Sequence, residues 1–176
     1  MHKESKELSE FQKACHNFYT CFYFASVGLT QKGNELNNSG NPEAEILIGT
    51  GHPDEGNWHS RLKIDHVKEA SKKDGLYSDT LAKSFVTYIY AEWDEYYRHK
   101  IAKSIGIKKN NIKSNLMGDL RLIRNCIVHN NSIITNEHQK LTELNWNLKE
   151  GKLTITLKDF SALMDQINKM VVEAIE

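Results

Sequence analysis

Apolar residues return every three or four positions between residues 7 and 27, where Leu8, Phe11, Cys15, Phe18, Phe22 and Ala25 line one side. That period predicts an amphipathic helix, and its aromatic density suits a packed core. The period is lost over residues 28–60, which hold six glycines, both prolines of the chain and several asparagines. The stretch Glu45-Ile46-Leu47-Ile48-Gly49 could be a short strand, but its surroundings predict an irregular loop or insertion at about 28–60. A short helix over about 61–73 would end before Gly75.

Helical spacing resumes at 78–104, with Leu81, Phe85, Tyr88, Trp93, Tyr96 and Ile101 in register, Ser78 or Asp79 as N-cap and Gly106 as stop. A third long helix is expected from Asn111 to Asn130, burying Leu116, Leu120, Ile123 and Ile127. Alternating segments on either side of Glu150-Gly151 predict a β-hairpin. A last helix from about Asp159 would bury Phe160, Leu163, Ile167, Val171 and Ala174. The fold class that follows is mainly α, a helical bundle with a small C-terminal β-hairpin. It would form a single domain over residues 1–176.

Within the third helix the polar residues are unusual. Arg121, Asn125 and His129 fall at i, i+4 and i+8 along one stripe, with Arg124 beside them, so all four share an arc of roughly 140°. An ordinary solvated face would show Glu and Lys there. Val128 alone interrupts the arc, as expected of a face that meets a partner chain. Histidine can exchange protons near neutral pH. Arginine adds a permanent charge and a fork of donors matched to phosphate oxygens. Asparagine can orient the imidazole or hold a ribose hydroxyl. Such a set can cleave a phosphodiester by using the 2′-hydroxyl of RNA as nucleophile, with no metal. One histidine can hardly be both acid and base, which predicts a homodimer with two copies facing each other.

Composition narrows the alternatives. The chain has 176 residues, 39% hydrophobic and 26% charged, in the range of an ordinary globular domain. No apolar run reaches the roughly 20 residues needed to span a bilayer, and Met1–Glu10 lacks the apolar segment of a secretory signal. A cytoplasmic protein with no membrane partner is expected. Cys15, Cys21 and Cys126 lack CxxC spacing and sit among aromatic and aliphatic neighbours, which predicts buried free thiols. His52, His59 and His66 recur every seven residues but lack supporting carboxylates, so neither a metal site nor a cofactor is expected. The formal net charge is zero, so affinity for nucleic acid requires a local patch. One candidate is the acid-free run from Arg98 to Lys113, containing Lys100, Lys103, Lys108 and Lys109. With Arg121, the lysines at 103, 108, 109 and 113 are candidate RNA contacts.

The string Arg124-Asn125-Cys126-Ile127-Val128-His129, preceded by Asp119-Leu120-Arg121, resembles the Arg-polar-x-x-x-His motif of the HEPN superfamily (higher eukaryotes and prokaryotes nucleotide-binding). The resemblance covers about 78–176 and, more loosely, 7–27. It implies a HEPN-like bundle, pairing at the motif, and metal-independent endoribonuclease activity of the kind found in toxin–antitoxin and phage-defence systems. Arg124 and His129 would be catalytic and Asn125 would support them, with an antitoxin or defence protein as a further partner. Some members carry a modifiable tyrosine four residues after the histidine. That position is Ile133 here, which argues against that form of control. Other members are non-catalytic RNA-binding or protein-interaction modules, the second reading of this chain.

Overall fold

The computed structural model describes residues 5–36, 41 and 43–175. The fold is mainly α-helical, with six helices and six short strands among these residues. The chain divides into two compact units, one formed by Met1–Tyr23 with Asp79–Glu176 and the other by Phe24–Ser78.

The first unit carries the core. Helix α1 (Lys6–Leu36) supplies Leu8, Phe11, Cys15 and Phe22, all buried. Phe11 packs between Trp93 and Tyr97, with ring centroids 5.4 and 5.3 Å away. Phe22 meets Phe160 at 4.8 Å. Helix α3 (Leu76–Glu92) runs through a π-helical turn, Trp93–Tyr97, into α4 (Arg98–Ser104). A turn at Lys109–Asn111 and strand β3 (Ile112–Lys113) then lead into α5 (Asn115–His129). Helix α6 (Leu157–Lys169) starts with a capping box, in which the Thr156 hydroxyl accepts from the Asp159 N–H and the Asp159 carboxylate accepts from the Thr156 N–H. Fully burying one such large apolar side chain contributes about 1.5–3 kcal/mol, so the helices are held mainly by this shared core.

Two carboxylates act inside the unit. Asp79 is buried, pairs with Lys83 at 2.7 Å and accepts the Ile155 N–H at 2.8 Å, tying α3 to the segment before α6. Asp119, on the buried side of α5, accepts the backbone N–H groups of Thr142, Glu143 and Leu144, and also the Thr142 hydroxyl. It thereby organises a loop that has no other regular structure.

Several expected elements differ. The third helix begins at Asn115 rather than Asn111, because Ile112 and Lys113 pair as β3 with Ala174 and Glu173 of β6. The same pairing ends α6 at Lys169, so Val171 and Ala174 are not helical. The hairpin expected around Glu150-Gly151 does not form. Its residues Gly151–Lys152 (β5) pair antiparallel with Ile133–Ile134 (β4), directly after the motif helix. Alternation revealed strand-like backbone there, but not its partner. Leu153 and Ile155 of this stretch are buried in the core.

In the second unit, the segment expected to be an irregular loop is partly ordered. Helix α1 continues to Leu36 through Gly28 and Gly33. Gly33 is no stop signal here: a Cβ on it would lie 2.9 Å from the Ser71 Cβ, so close packing requires the missing side chain. Strands β1 (Glu45–Gly49) and β2 (Trp58–Lys63) form an antiparallel pair, connected through a turn at Pro53–Glu55. Gly51 and Gly56 take positive φ in that connection, at 88° and 69°. Strand β1 is largely exposed on both faces, so it shows no alternation. Helix α2 (Ile64–Ala70) is shorter than the expected 61–73, because β2 occupies its first residues.

Candidate functional site

Helix α5 is anchored by its apolar side, where Leu116, Leu120, Ile123 and Cys126 are fully buried. Its C-terminal end is fastened with unusual care. The Cys126 carbonyl accepts from the N–H groups of Asn130, at 3.3 Å, and Ser132, at 2.9 Å. The Cys126 thiol donates to the Ile133 carbonyl at 3.3 Å. Asn131 and Ser132 both take left-handed φ, at 50° and 61°, a conformation uncommon outside glycine that asparagine tolerates best. Leu153 then donates to the Ser132 carbonyl at 2.7 Å, joining the turn to the β5 segment. This fastening fixes the last turn of α5, which carries His129.

Three of the expected site residues meet there. One Arg124 nitrogen, Nη1, donates to His129 Nε2 at 2.7 Å and to Asn125 Oδ1 at 3.2 Å. Because a guanidinium has only donors, Nε2 must be the accepting nitrogen, which places the imidazole proton on Nδ1. Asn125 therefore orients the arginine and not the imidazole. Arg124 and Asn125 are half-buried, His129 is exposed, and Val128 and Ile133 beside them are exposed apolar residues. Nε and Nη2 of Arg124 have no partner among the described residues, so the guanidinium can still bind an anion while holding the histidine.

Arg121 lies elsewhere on the same helix. It makes no ion pair with Asp119, whose oxygens face the Thr142–Leu144 loop. Instead it lines a cavity of about 400 Å³ together with Tyr90, Arg98, Lys113 and the first turns of α5. Burial and Asp94 push the Tyr90 phenol above its usual range, against the opposing pull of Arg121, Arg98 and Arg124. Tyr90 thus lies within the field of both the cavity and the motif. The sequence offers no signal for its role.

The basic run divides in three dimensions. Arg98 and Lys109 both bind Asp94, at 2.9 and 3.1 Å, and Arg98 also donates to the Ile112 carbonyl. Burial pushes the Asp94 carboxyl up, but the hydrogen bonds and charges of these two cations outweigh it and hold the group below the usual carboxylate range. Lys100 pairs with Glu10 and sits 4.3 Å above the Tyr96 ring. Lys103 lines a separate shallow pocket with Glu7 and Glu10. Lys103, Lys108 and Lys113 make no ion pair among the described residues, so they and Arg121 are the uncompensated charges of the expected stripe. A run without acids in sequence acquires one from the preceding turn.

The histidines at 52, 59 and 66 do not converge. His52 caps the Pro53–Glu55 turn, His59 lies on β2, and the His66 ring meets Tyr77. No group of three or more His, Cys, Asp or Glu side chains suited to a metal ion occurs among the described residues. No helix among them is long and apolar enough to cross a membrane. Cys15, Cys21 and Cys126 are free thiols; Cys15 and Cys126 are buried as expected, whereas Cys21 is exposed, and burial pushes the Cys15 and Cys126 thiols up, away from the reactive thiolate. Comparison with protein-family models, with curated proteins and with solved structures gives no match to this chain.

Proposed function

We propose that this protein is a metal-independent endoribonuclease of HEPN type, acting as a toxin or a phage-defence effector. The observation that carries the reading is the 2.7 Å contact between Arg124 and His129 on a rigidly fastened, accessible helix end. In the proposed reaction the 2′-hydroxyl of RNA attacks the adjacent phosphorus. A base takes the hydroxyl proton, the P–O5′ bond breaks, and the departing 5′-oxygen receives a proton from an acid. The products are a 2′,3′-cyclic phosphate and a 5′-hydroxyl.

His129 of one copy and His129 of a second copy serve as base and acid. Arg124 stabilises the extra negative charge of the pentacovalent phosphorus, a role its uncommitted Nε and Nη2 suit. When the guanidinium moves onto phosphate, His129 Nε2 is released to take a proton. The reaction needs no cofactor. The test is incubation of single-stranded RNA with the purified protein in EDTA, followed by analysis of product ends. Intact RNA would refute the reading.

A second reading is a non-catalytic RNA-binding or protein-interaction module. It is favoured by exposed Val128 and Ile133, at 47% and 46% exposure, which flank the motif with an apolar surface.

A further inference from the structure

We infer that strand β1 is an interaction edge on which a second copy of this chain adds its own β1, antiparallel, about a two-fold axis at Leu47. The phase of the strand is fixed by its neighbours. Ala44 accepts from the Ile64 N–H at 2.9 Å, and the register continues as Glu45 with Lys63, Ile46 with Leu62, Leu47 with Arg61 and Ile48 with Ser60. Hydrogen-bonded and non-hydrogen-bonded positions alternate along an antiparallel pair. The N–H and C=O groups of Ile46 and Ile48 therefore face β2, and those of Glu45 and Leu47 face away from it. The Thr50 N–H returns to β2, donating to the Asn57 carbonyl at 3.2 Å, so Gly49 also faces away. The outward groups have no partner among the described residues.

This edge lacks the devices that protect an exposed strand. The register slips between Ile48 and Gly49, and the extra residue, His59, lies on β2. β1 keeps its alternation unbroken and has neither a bulge, a proline nor a lysine to blunt it. Glu45 is its one charge, and Arg61 compensates it at 3.0 Å. The exposed positions of β2 are His59, Arg61 and Lys63, so β2 against β2 would set basic side chains face to face. A two-stranded sheet is marginal by itself. Leu47 and Ile48 remain 38% and 52% exposed, which leaves apolar surface for a further strand to cover.

The strand is complementary to itself, which selects a second copy as its occupant. With Leu47 on the axis, its N–H and C=O meet the same groups of Leu47 in the second copy, and those of Glu45 meet Gly49. Ile46 then lies opposite Ile48 at a non-hydrogen-bonded position, where side chains approach most closely. Glu45 faces a glycine, so no like charges oppose each other. This contact is separate from the motif face at Val128 and does not rest on the nuclease reading. A molecule that uses both contacts assembles beyond a dimer. Five residues on each side cover less than a stable interface of roughly 1,200 Å², so pairing should need roughly hundreds of micromolar protein.

The experiment combines sedimentation equilibrium with amide hydrogen exchange on the full chain carrying Val128→Glu, which keeps the motif face from pairing. Between roughly 10 μM and roughly 1 mM the mass should rise towards a dimer. Over the same range exchange at the Leu47 amide should slow by about tenfold or more, while the Ile46 amide, already bonded to β2, changes little. Leu47→Pro removes only an outward donor, at a position where an edge strand tolerates proline. It should weaken association by about tenfold or more, the loss of one hydrogen bond from each copy. Leu47→Lys sets a charge opposite itself and should weaken association likewise with the backbone unchanged, and protection of Ile46 shows that the hairpin is intact. A mass that stays monomeric throughout would overturn the inference. So would association without protection of Leu47, or a Leu47→Lys protein with an intact hairpin that associates like its parent. Leu47 protection that is equal at every concentration would place another segment of the same chain on the edge, and would also overturn it. Cleavage of RNA, or its absence, bears on the nuclease reading alone.

Discussion

Arg124 and His129 are joined through a single hydrogen bond, Nη1 to Nε2 across 2.7 Å, and Asn125 holds the same nitrogen from its other side. The arrangement makes the arginine both the orienter of the imidazole and the nearest partner for an incoming phosphate. His129→Ala should therefore lower RNA cleavage by about 10²–10⁴, the usual contribution of a proton-transfer group. Arg124→Ala should lower it by about 10²–10³, as loss of a charge-stabilising donor. Single-turnover rates measure both, and unchanged circular dichroism would confirm that neither variant has unfolded. A His129→Ala protein that cuts at the wild-type rate would dismiss the catalytic assignment.

Assembly follows from the same surface. A homodimer that juxtaposes the two motif helices would cover Val128 and supply the second histidine. Light scattering should give twice the monomer mass at micromolar concentration, and Val128→Glu should return the protein to a monomer while abolishing cleavage. A monomeric wild type that still cleaves would separate catalysis from pairing.

Asp119 and Arg121 lie two residues apart but should behave in opposite ways. Asp119→Ala removes the acceptor of three backbone N–H groups and a hydroxyl in the interior, and should destabilise the fold by about 2–4 kcal/mol. Arg121→Gln, on an exposed side chain, should change stability by less than about 0.5 kcal/mol. Urea denaturation distinguishes them. Equal losses would mean that the two residues form the ion pair which the structure does not contain.

Asp94 gives a pH dependence whose sign can be worked out. Its carboxyl lies lower in the folded chain than in the unfolded one, so its contribution to stability is complete above the unfolded value of about pH 4. That contribution is lost as pH falls below about 4 towards the folded value. Asp94→Asn should flatten the stability profile in that acid window, followed by chemical denaturation at successive pH values. The same variant releases Arg98 and Lys109, and should steepen the salt dependence of RNA binding. An unchanged profile would show that the three groups are not coupled.

The sequence by itself determined the positions of the main helices and the polar set on one of them, because both depend on periodicity that neighbouring residues carry. Leu116, Leu120 and Ile123 reveal the buried side of α5 through their spacing alone, and that side leaves Arg124, Asn125 and His129 on the other. Asp119 was legible only as a neighbour of the motif; its partners lie more than twenty residues away in a loop without a pattern. Strand partners were equally hidden: β5 pairs with β4, and β3 with β6, through backbone groups that every residue possesses. The basic run illustrates the other limit. Its charge could be counted in sequence, and the i,i+4 spacing of Asp94 and Arg98 was visible there, but only the fold after α4 returns Lys109 to the same carboxylate and so decides which cations remain available.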